Sequence, residues 1–274
     1  IIGMLAAMIT TAAMKAKHYA VQARITIEID SLSLAVENFK NAYGSYPPDF
    51  TESTATYRDF YILPFVRSAF PRFANANSYS NLRNNIFSRM GNSYDINNID
   101  PAEAVVLWLG GLPKPGTLEL TGFGINPSQP FESTSNRTQR KTKLYDFDQS
   151  RLSDRDRDGW PEYYAPGSNP NQSAPIVYFV SRHNRQTTAE PVYFGRFFAA
   201  GISTGFARPY TKDTNQDRTS DTWVNPESYQ IISAGLDNDY GNDSDNKIVQ
   251  HRINFSDGDN DNLTNFSKGP LKND

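Results

Sequence analysis

Hydrophobic and polar positions form one long opening pattern followed by a broken remainder. Residues 1–14 read IIGMLAAMITTAAM without a charged side chain, and a basic, mixed segment follows from Lys15. From there the apolar positions Ile25, Ile29, Leu32, Val36, Phe39 and Tyr43 recur at spacings of 4, 3, 4, 3 and 4, one stripe of an α-helix. Glu28, Asp30, Glu37 and Lys40 occupy other faces. The pattern stops at Gly44, and Pro47 and Pro48 cannot continue a helix. A single helix is therefore predicted from about residue 1 to residue 43. At ~1.5 Å per residue it would be roughly 65 Å long, about twice the diameter of a small domain. Its halves cannot share one environment. The half from 25 to 43 carries a stripe for packing on a globular head, and the half from 1 to 24 protrudes. An apolar protrusion is costly in water unless copies bundle or lipid receives it, so Ile1, Ile2, Met4, Leu5, Met8, Ile9 and Met14 are candidate assembly residues.

Fourteen apolar residues span only ~21 Å, short of the ~30 Å hydrocarbon core of a bilayer. Nor does the segment read as a secretory signal, because no basic region precedes it and no cleavage junction interrupts the helical pattern.

Past Pro48 the pattern is weaker. Residues 57–70 suggest a helix interrupted near Pro64 and closed by Pro71. Asp100-Pro101-Ala102-Glu103 supplies an N-cap, a proline at the first helical position and an acid three residues after the cap, leading into AVVLWLGG. That predicts a short buried helix ended by Gly110 and Gly111. Ile176–Val180, Val192–Phe198 and Ser228–Ser233 read as strands. Together they predict an α+β chain: residues 1–47 a helix and turn, residues 48–274 a loop-rich head with a small antiparallel sheet against the helix stripe.

Composition narrows the chemistry. Of 274 residues about 39 % are apolar when Gly is counted and Tyr is not, below the ~45–50 % of ordinary globular domains. Net charge is −3, which provides no global basic field for nucleic acid. The absence of Cys excludes disulfides, thiolate metal sites and Cys nucleophiles, and three His (18, 183 and 251) make a poor basis for a multi-His centre. No G-x-S-x-G, H-E-x-x-H, P-loop or dinucleotide fingerprint appears, so no catalytic residue is assigned. His183 and His251 lie beside Arg182, Arg185 and Arg252 and read as surface residues, as does the basic cluster Arg137, Arg140, Lys141 and Lys143. Sequons at Asn136, Asn171, Asn242, Asn254, Asn262 and Asn265 make glycosylation possible.

Two acidic stretches have metal-ligand spacing. Asp154, Asp156 and Asp158 before Gly159 follow the D-x-D-x-D-G pattern, in which alternating carboxylates around a glycine turn aim several oxygens at one hard cation. Glu162 falls at the ninth position of such a loop. Ala165 stands at the twelfth, so a residue from elsewhere must close the shell. Arg155 and Arg157 are expected to point outward. The second stretch holds Asp237, Asp239, Asp243, Asp245, Asp257, Asp259 and Asp261 on two arms, whose mutual repulsion a cation would relieve. Ca2+ is the expected ion at both.

The opening helix with its Phe39, Tyr43, Gly44, Tyr46 and Pro47 turn resembles the first helix of type IV pilins and type II secretion pseudopilins. Tyr229–Asp237 and Asp259–Phe266 are similar to the C-terminal strand and calcium loop of the major pseudopilins. The matches cover about 85 residues and fall in the family's order. The resemblance implies a calcium-stabilised head, with Asp237, Asp259 and Asp261 as the better ligand candidates and Asp239 beside them, and carbonyls near Ser233 completing the shell. It implies about ten further residues ahead of Ile1, which would bring the apolar segment to roughly 24, enough to wait in a membrane. It also implies processing by a prepilin peptidase, an inner-membrane stage and assembly machinery, then a helical homopolymer of the same chain at the bacterial cell surface. Two alternatives remain at this point: a pseudopilin forming short structures in a secretion machine, and a calcium-dependent secreted carbohydrate-binding or adhesive module using the aromatic-rich region 57–108.

Overall fold

The structure is a computed structural model, described for residues 2–51, 54–91, 94–132, 143–182, 197–199, 205–212, 222–241, 249–251 and 258–272. Helix α1 (Ile2–Tyr43) runs unbroken for 42 residues, about 63 Å at ~1.5 Å per residue. Residues 2–20 stand clear of the head, with Ile2, Met4, Met8, Ile9 and Met14 each 56–87 % exposed. Ile25, Ile29, Leu32, Val36 and Phe39 are buried, with Tyr43 packed partly against them. The spacing of the apolar positions thus becomes the buried face. Ile1 and the side chain of Leu5 lie outside the described residues.

Three groups tie α1 to the head beyond that face. The Tyr229 hydroxyl donates to the Ser33 carbonyl at 3.0 Å. Glu28 Oε1 accepts from Tyr145 Oη at 2.5 Å, Tyr163 Oη at 2.6 Å and Arg151 Nη2 at 2.8 Å. After Gly44 (φ +86°) the chain turns back, and the buried Asp49 accepts from Tyr57 Oη, from Val180 N–H and from the Arg182 guanidinium. Burying a carboxylate is tolerable only with such a set of donors.

The head begins with α2 (Ala55–Tyr57), a π-helical stretch Arg58–Ile62 and α3 (Leu63–Ala69). Pro64 therefore does not interrupt the helix as expected. It sits in the first turn of α3, where the wider π turn before it leaves the missing N–H without consequence. Helix α4 (Tyr79–Arg89) follows, and α5 (Pro101–Gly110) forms as the cap signal predicts, buried along its whole length. Trp108 of α5 donates its indole N–H to the Pro48 carbonyl at 3.0 Å and packs on Phe39, Phe50 and Phe65. This joins α5, the turn and α1 in one core.

Strands β1 (Leu152–Ser153) and β2 (Glu162–Tyr163) pair antiparallel. Strands β3 (Val177–Val180), β6 (Tyr229–Ser233) and β8 (Leu263–Thr264) form an antiparallel sheet in the order β3-β6-β8. A second sheet, in the order β5-β4-β7, joins β4 (Tyr210–Lys212), β5 (Thr222–Trp223) and β7 (Val249–His251), and its β4–β7 pair is parallel. The two strands expected over 176–180 and 228–233 are β3 and β6. Most of the expected 192–198 strand lies outside the described residues; Phe197 bridges Ala207.

Candidate functional site

The β1–β2 hairpin presents residues 154–161 as its loop, so the D-x-D-x-D-G segment is the tip of a short antiparallel ladder. Arg157 (φ +65°) and Gly159 (φ +100°) supply the left-handed turns that curl it. A Cβ on Gly159 would meet the Tyr94 ring at 2.8 Å, so the residue is required twice over. Asp154 accepts from Gly159 N–H at 3.1 Å, Asp156 from Asp158 N–H at 3.3 Å, and Asp158 from Trp160 N–H at 2.8 Å. Buried Trp160 anchors the end of the loop by donating its indole N–H to the Asp95 carbonyl at 2.9 Å.

Asp154, Asp156 and Asp158 each offer a carboxylate oxygen within 4.8 Å of the others. An ion 2.3–2.6 Å from each of its ligands holds them no farther apart than about 5 Å, so the set fits one hard cation. A second group with the same spacing is Asp100, Glu103 and Asp156. Asp156 belongs to both. The first two of these residues are the N-cap and the third residue of α5, whose cap pattern signals only a helix start in the sequence. What the pattern does not carry is that Glu103 is 1 % exposed.

Glu162 takes a different part. Its Oε1 lies 3.6 Å from Arg155 and its Oε2 accepts from the Tyr164 hydroxyl, so both oxygens face partners inside the head. Arg155 accordingly points inward, against expectation, and its Nη1 also donates to the Ser173 carbonyl at 3.0 Å. Arg157 is exposed as expected.

Electrostatics follow the crowding. Burial pushes the Glu103 carboxyl well above its usual range, and Asp100, Asp158 and Asp156 add to the rise. Burial does the same to Asp100, helped by Glu162. Asp158 is pushed up to about 7 by burial, with Asp156 and Asp154 contributing.

The C-terminal acids are arranged otherwise. Asp261 Oδ2 accepts from Leu236 N–H at 2.7 Å and Asp237 N–H at 3.3 Å, while its Oδ1 is buried without a hydrogen bond. Asp237 Oδ1 accepts from Asp239 N–H at 2.8 Å, and Asp239 from Gly241 N–H at 2.9 Å. Burial and the neighbouring Asp261 raise Asp237 to about 7. Asp259 lies deeper, accepting from Tyr210 Oη at 3.0 Å beside Asn262. Gly235, Gly241 and Gly258 let these arms approach, for a Cβ on any of them would come within 2.3–2.7 Å of an Asp side chain. Among the described residues, three carboxylates converge only at the 154–158 loop and its α5 neighbours. Asp243, Asp245 and Asp257 lie outside the described residues, as do Arg137, Arg140, Lys141 and His183. Lys143 pairs with Asp146 at 2.6 Å.

Among the described residues no helix is long and apolar enough to cross a membrane. No protein-family model, curated protein or solved structure matches the chain.

Proposed function

We propose that the chain is a structural subunit of an extracellular filament of the type IV pilus kind, polymerising through the free half of α1, with calcium stabilising its head. The observation that carries this reading is the exposure of Ile2, Met4, Met8, Ile9 and Met14 on a rigid helix whose continuation is anchored in the head. Such a surface calls for cover. Staggered copies supply it: each free half-helix packs among those of its neighbours at the filament axis, and the heads form the outer layer. Contacts of this head-to-tail kind do not close into a ring and generate open fibres. If packing removes even ~1,000 Å² of apolar surface, ~25 cal/mol/Å² gives on the order of 25 kcal/mol before association costs, enough to drive assembly. The function is assembly rather than turnover, with membrane residence, peptidase processing and dedicated machinery before it. A short secretion pseudopilus uses the same contacts.

The test is electron microscopy of sheared surface material from cells producing the chain or its Met4→Asp/Met8→Asp variant. Filaments with a helical axial bundle are expected from the parent and none from the variant, at unchanged head stability. A variant that assembles normally overturns the reading.

The calcium-dependent adhesive module has one observation in its favour, a groove of about 510 Å³ lined by Tyr46, Tyr57, Phe60, Tyr61 and Arg182 among others. A soluble monomer that keeps glycan affinity after loss of residues 1–24 would favour it over the filament.

A further inference from the structure

Glu103 stands where a glutamate is hardest to keep. It lies on α5 among Val105, Val106 and Trp108, all buried in the core, and is itself 1 % exposed. One oxygen is already engaged, since Oε2 accepts from Asp100 N–H at 3.0 Å and completes the capping box. The other, Oε1, is buried with no N–H or hydroxyl donor, and the Asp158 carboxyl lies beside this side chain. Two further buried oxygens in the cluster share that condition, Asp154 Oδ1 and Asp158 Oδ2. A capping box explains one acid at a helix N-terminus, and the positive end of the helix dipole favours it. Neither explains three buried carboxylate oxygens left without a hydrogen-bond donor in one acidic cluster, since each unsatisfied buried polar atom costs about 1–3 kcal/mol, more where it is charged.

We infer that α5 supplies the missing closure of the 154–158 loop: Glu103 Oε1 and Asp100, together with Asp154, Asp156 and Asp158, form one composite site for a divalent cation, calcium by its all-oxygen ligand set. The inference rests on reading the Asp154–Asp158 segment as a cation loop, and adds to it a ligand rooted in the core. The loop lacks an acid at its twelfth position, where Ala165 stands, and the buried glutamate of α5 takes that role from another part of the chain. Asp156, which belongs to both groups of three, is the joint between them. Asp100 Oδ1 is occupied by the N–H groups of Ala102 and Glu103 at 2.8 and 3.2 Å, so Asp100 contributes its other oxygen.

A cation in this position does more than tidy a surface loop. It neutralises a carboxylate inside the core and fastens the hairpin tip to α5, which in turn packs on β3 and α1. Ion binding is then coupled to the seating of the whole head.

The test uses the full chain in detergent, carrying Asp237→Asn/Asp261→Asn so that the C-terminal acids add no second site. Calcium binding is read by titration calorimetry, and Tm is followed in calcium and in chelator. Glu103→Gln keeps the shape and one acceptor of the capping box. It is expected to weaken calcium binding at least tenfold while its Tm in chelator equals or exceeds that of the parent, because a buried acid crowded by other acids has been replaced by a neutral amide. Asp100→Asn, which remains a good N-cap, is expected to weaken calcium binding in the same direction and serves should Glu103→Gln not fold. If Asp156→Asn abolishes binding but both α5 variants bind like the parent, the loop closes without α5: the inference is overturned and the loop reading survives. No calcium binding by the parent at millimolar concentration overturns both. A calcium-bound crystal structure with the ion away from Glu103 Oε1 overturns the inference whatever the variants do.

Discussion

Glu28 is the polar anchor of the long helix, held by three donors from the head. Burial alone would raise its carboxyl, but hydrogen bonds from Tyr145, Tyr163 and Arg151 outweigh burial and hold it below the ordinary glutamate range. The guanidinium of Arg151 also lies over the Tyr163 ring at 4.6 Å, so four side chains form one packed polar unit. Glu28→Gln is expected to lower the stability of the head by about 2–3 kcal/mol, because a neutral amide oxygen is a weaker acceptor and Arg151 loses the more buried of its two carboxylate partners, keeping only Asp148. Denaturant melts at pH 7 measure the difference. The sign of the pH dependence provides a second check. A carboxyl with a depressed native pKa stabilises above its unfolded value and loses that contribution as pH falls through the native one. The gap between parent and variant should therefore close on acidification below about 4.

The β1–β2 hairpin with its acidic loop has the opposite pH behaviour. Asp158 is raised to about 7, so the native state holds a proton that the unfolded chain has already released. Without cation, stability is expected to fall as pH rises from about 4 toward 7, since the folded state binds more protons across that window. Calcium should flatten the slope by supplying the positive charge that the proton otherwise supplies. Thermal melts from pH 4 to 7.5 in chelator and in calcium provide the measurement; identical slopes in both would refute the effect.

What the sequence discloses about these elements follows from how local each signal is. The α1 stripe is legible because a 3.6-residue period repeats over five intervals within one element, and α5 because its N-terminal signals Asp100, Pro101 and Glu103 sit within four residues of each other. The helix α4 is not. It has only Tyr79, Leu82 and Ile86 as buried positions among Asn and Ser, too few turns for a period to stand out. The parallel β4–β7 pair joins residues about forty apart, and no local pattern announces such a pairing. At the proposed cation site, the Asp154–Asp158 spacing is visible in the chain, whereas the placement of Glu103 beside it is tertiary. A capping box looks the same in sequence whether its glutamate meets water or the core. The inward turn of Arg155 belongs with this, since it depends on Glu162 being buried nearby.

Across the whole molecule, the exposed apolar surface does not end where the head begins. Ile27 and Leu34, seven residues apart on the outer face of α1, are 65 and 64 % exposed, directly behind the stripe that holds the head. In the proposed filament they continue the contact line from the free half-helix past the point of anchorage. Ile27→Asp/Leu34→Asp should therefore leave the melting temperature of the head within about 2 °C of the parent, as expected for exposed positions away from the core, while shortening or abolishing filaments in micrographs. Normal filaments from this variant would confine assembly to residues nearer the N-terminus.

The short hairpin also has a mechanical meaning. Arg151 and Tyr163, at its two ends, grip Glu28, and the acids at its tip face α5. Tension applied along the helix therefore reaches the head through the base of the hairpin as well as through the buried stripe and the Tyr229–Ser33 hydrogen bond. These anchorages act in parallel, so the head would peel away from the shaft only when the stripe and the grip on Glu28 give way together.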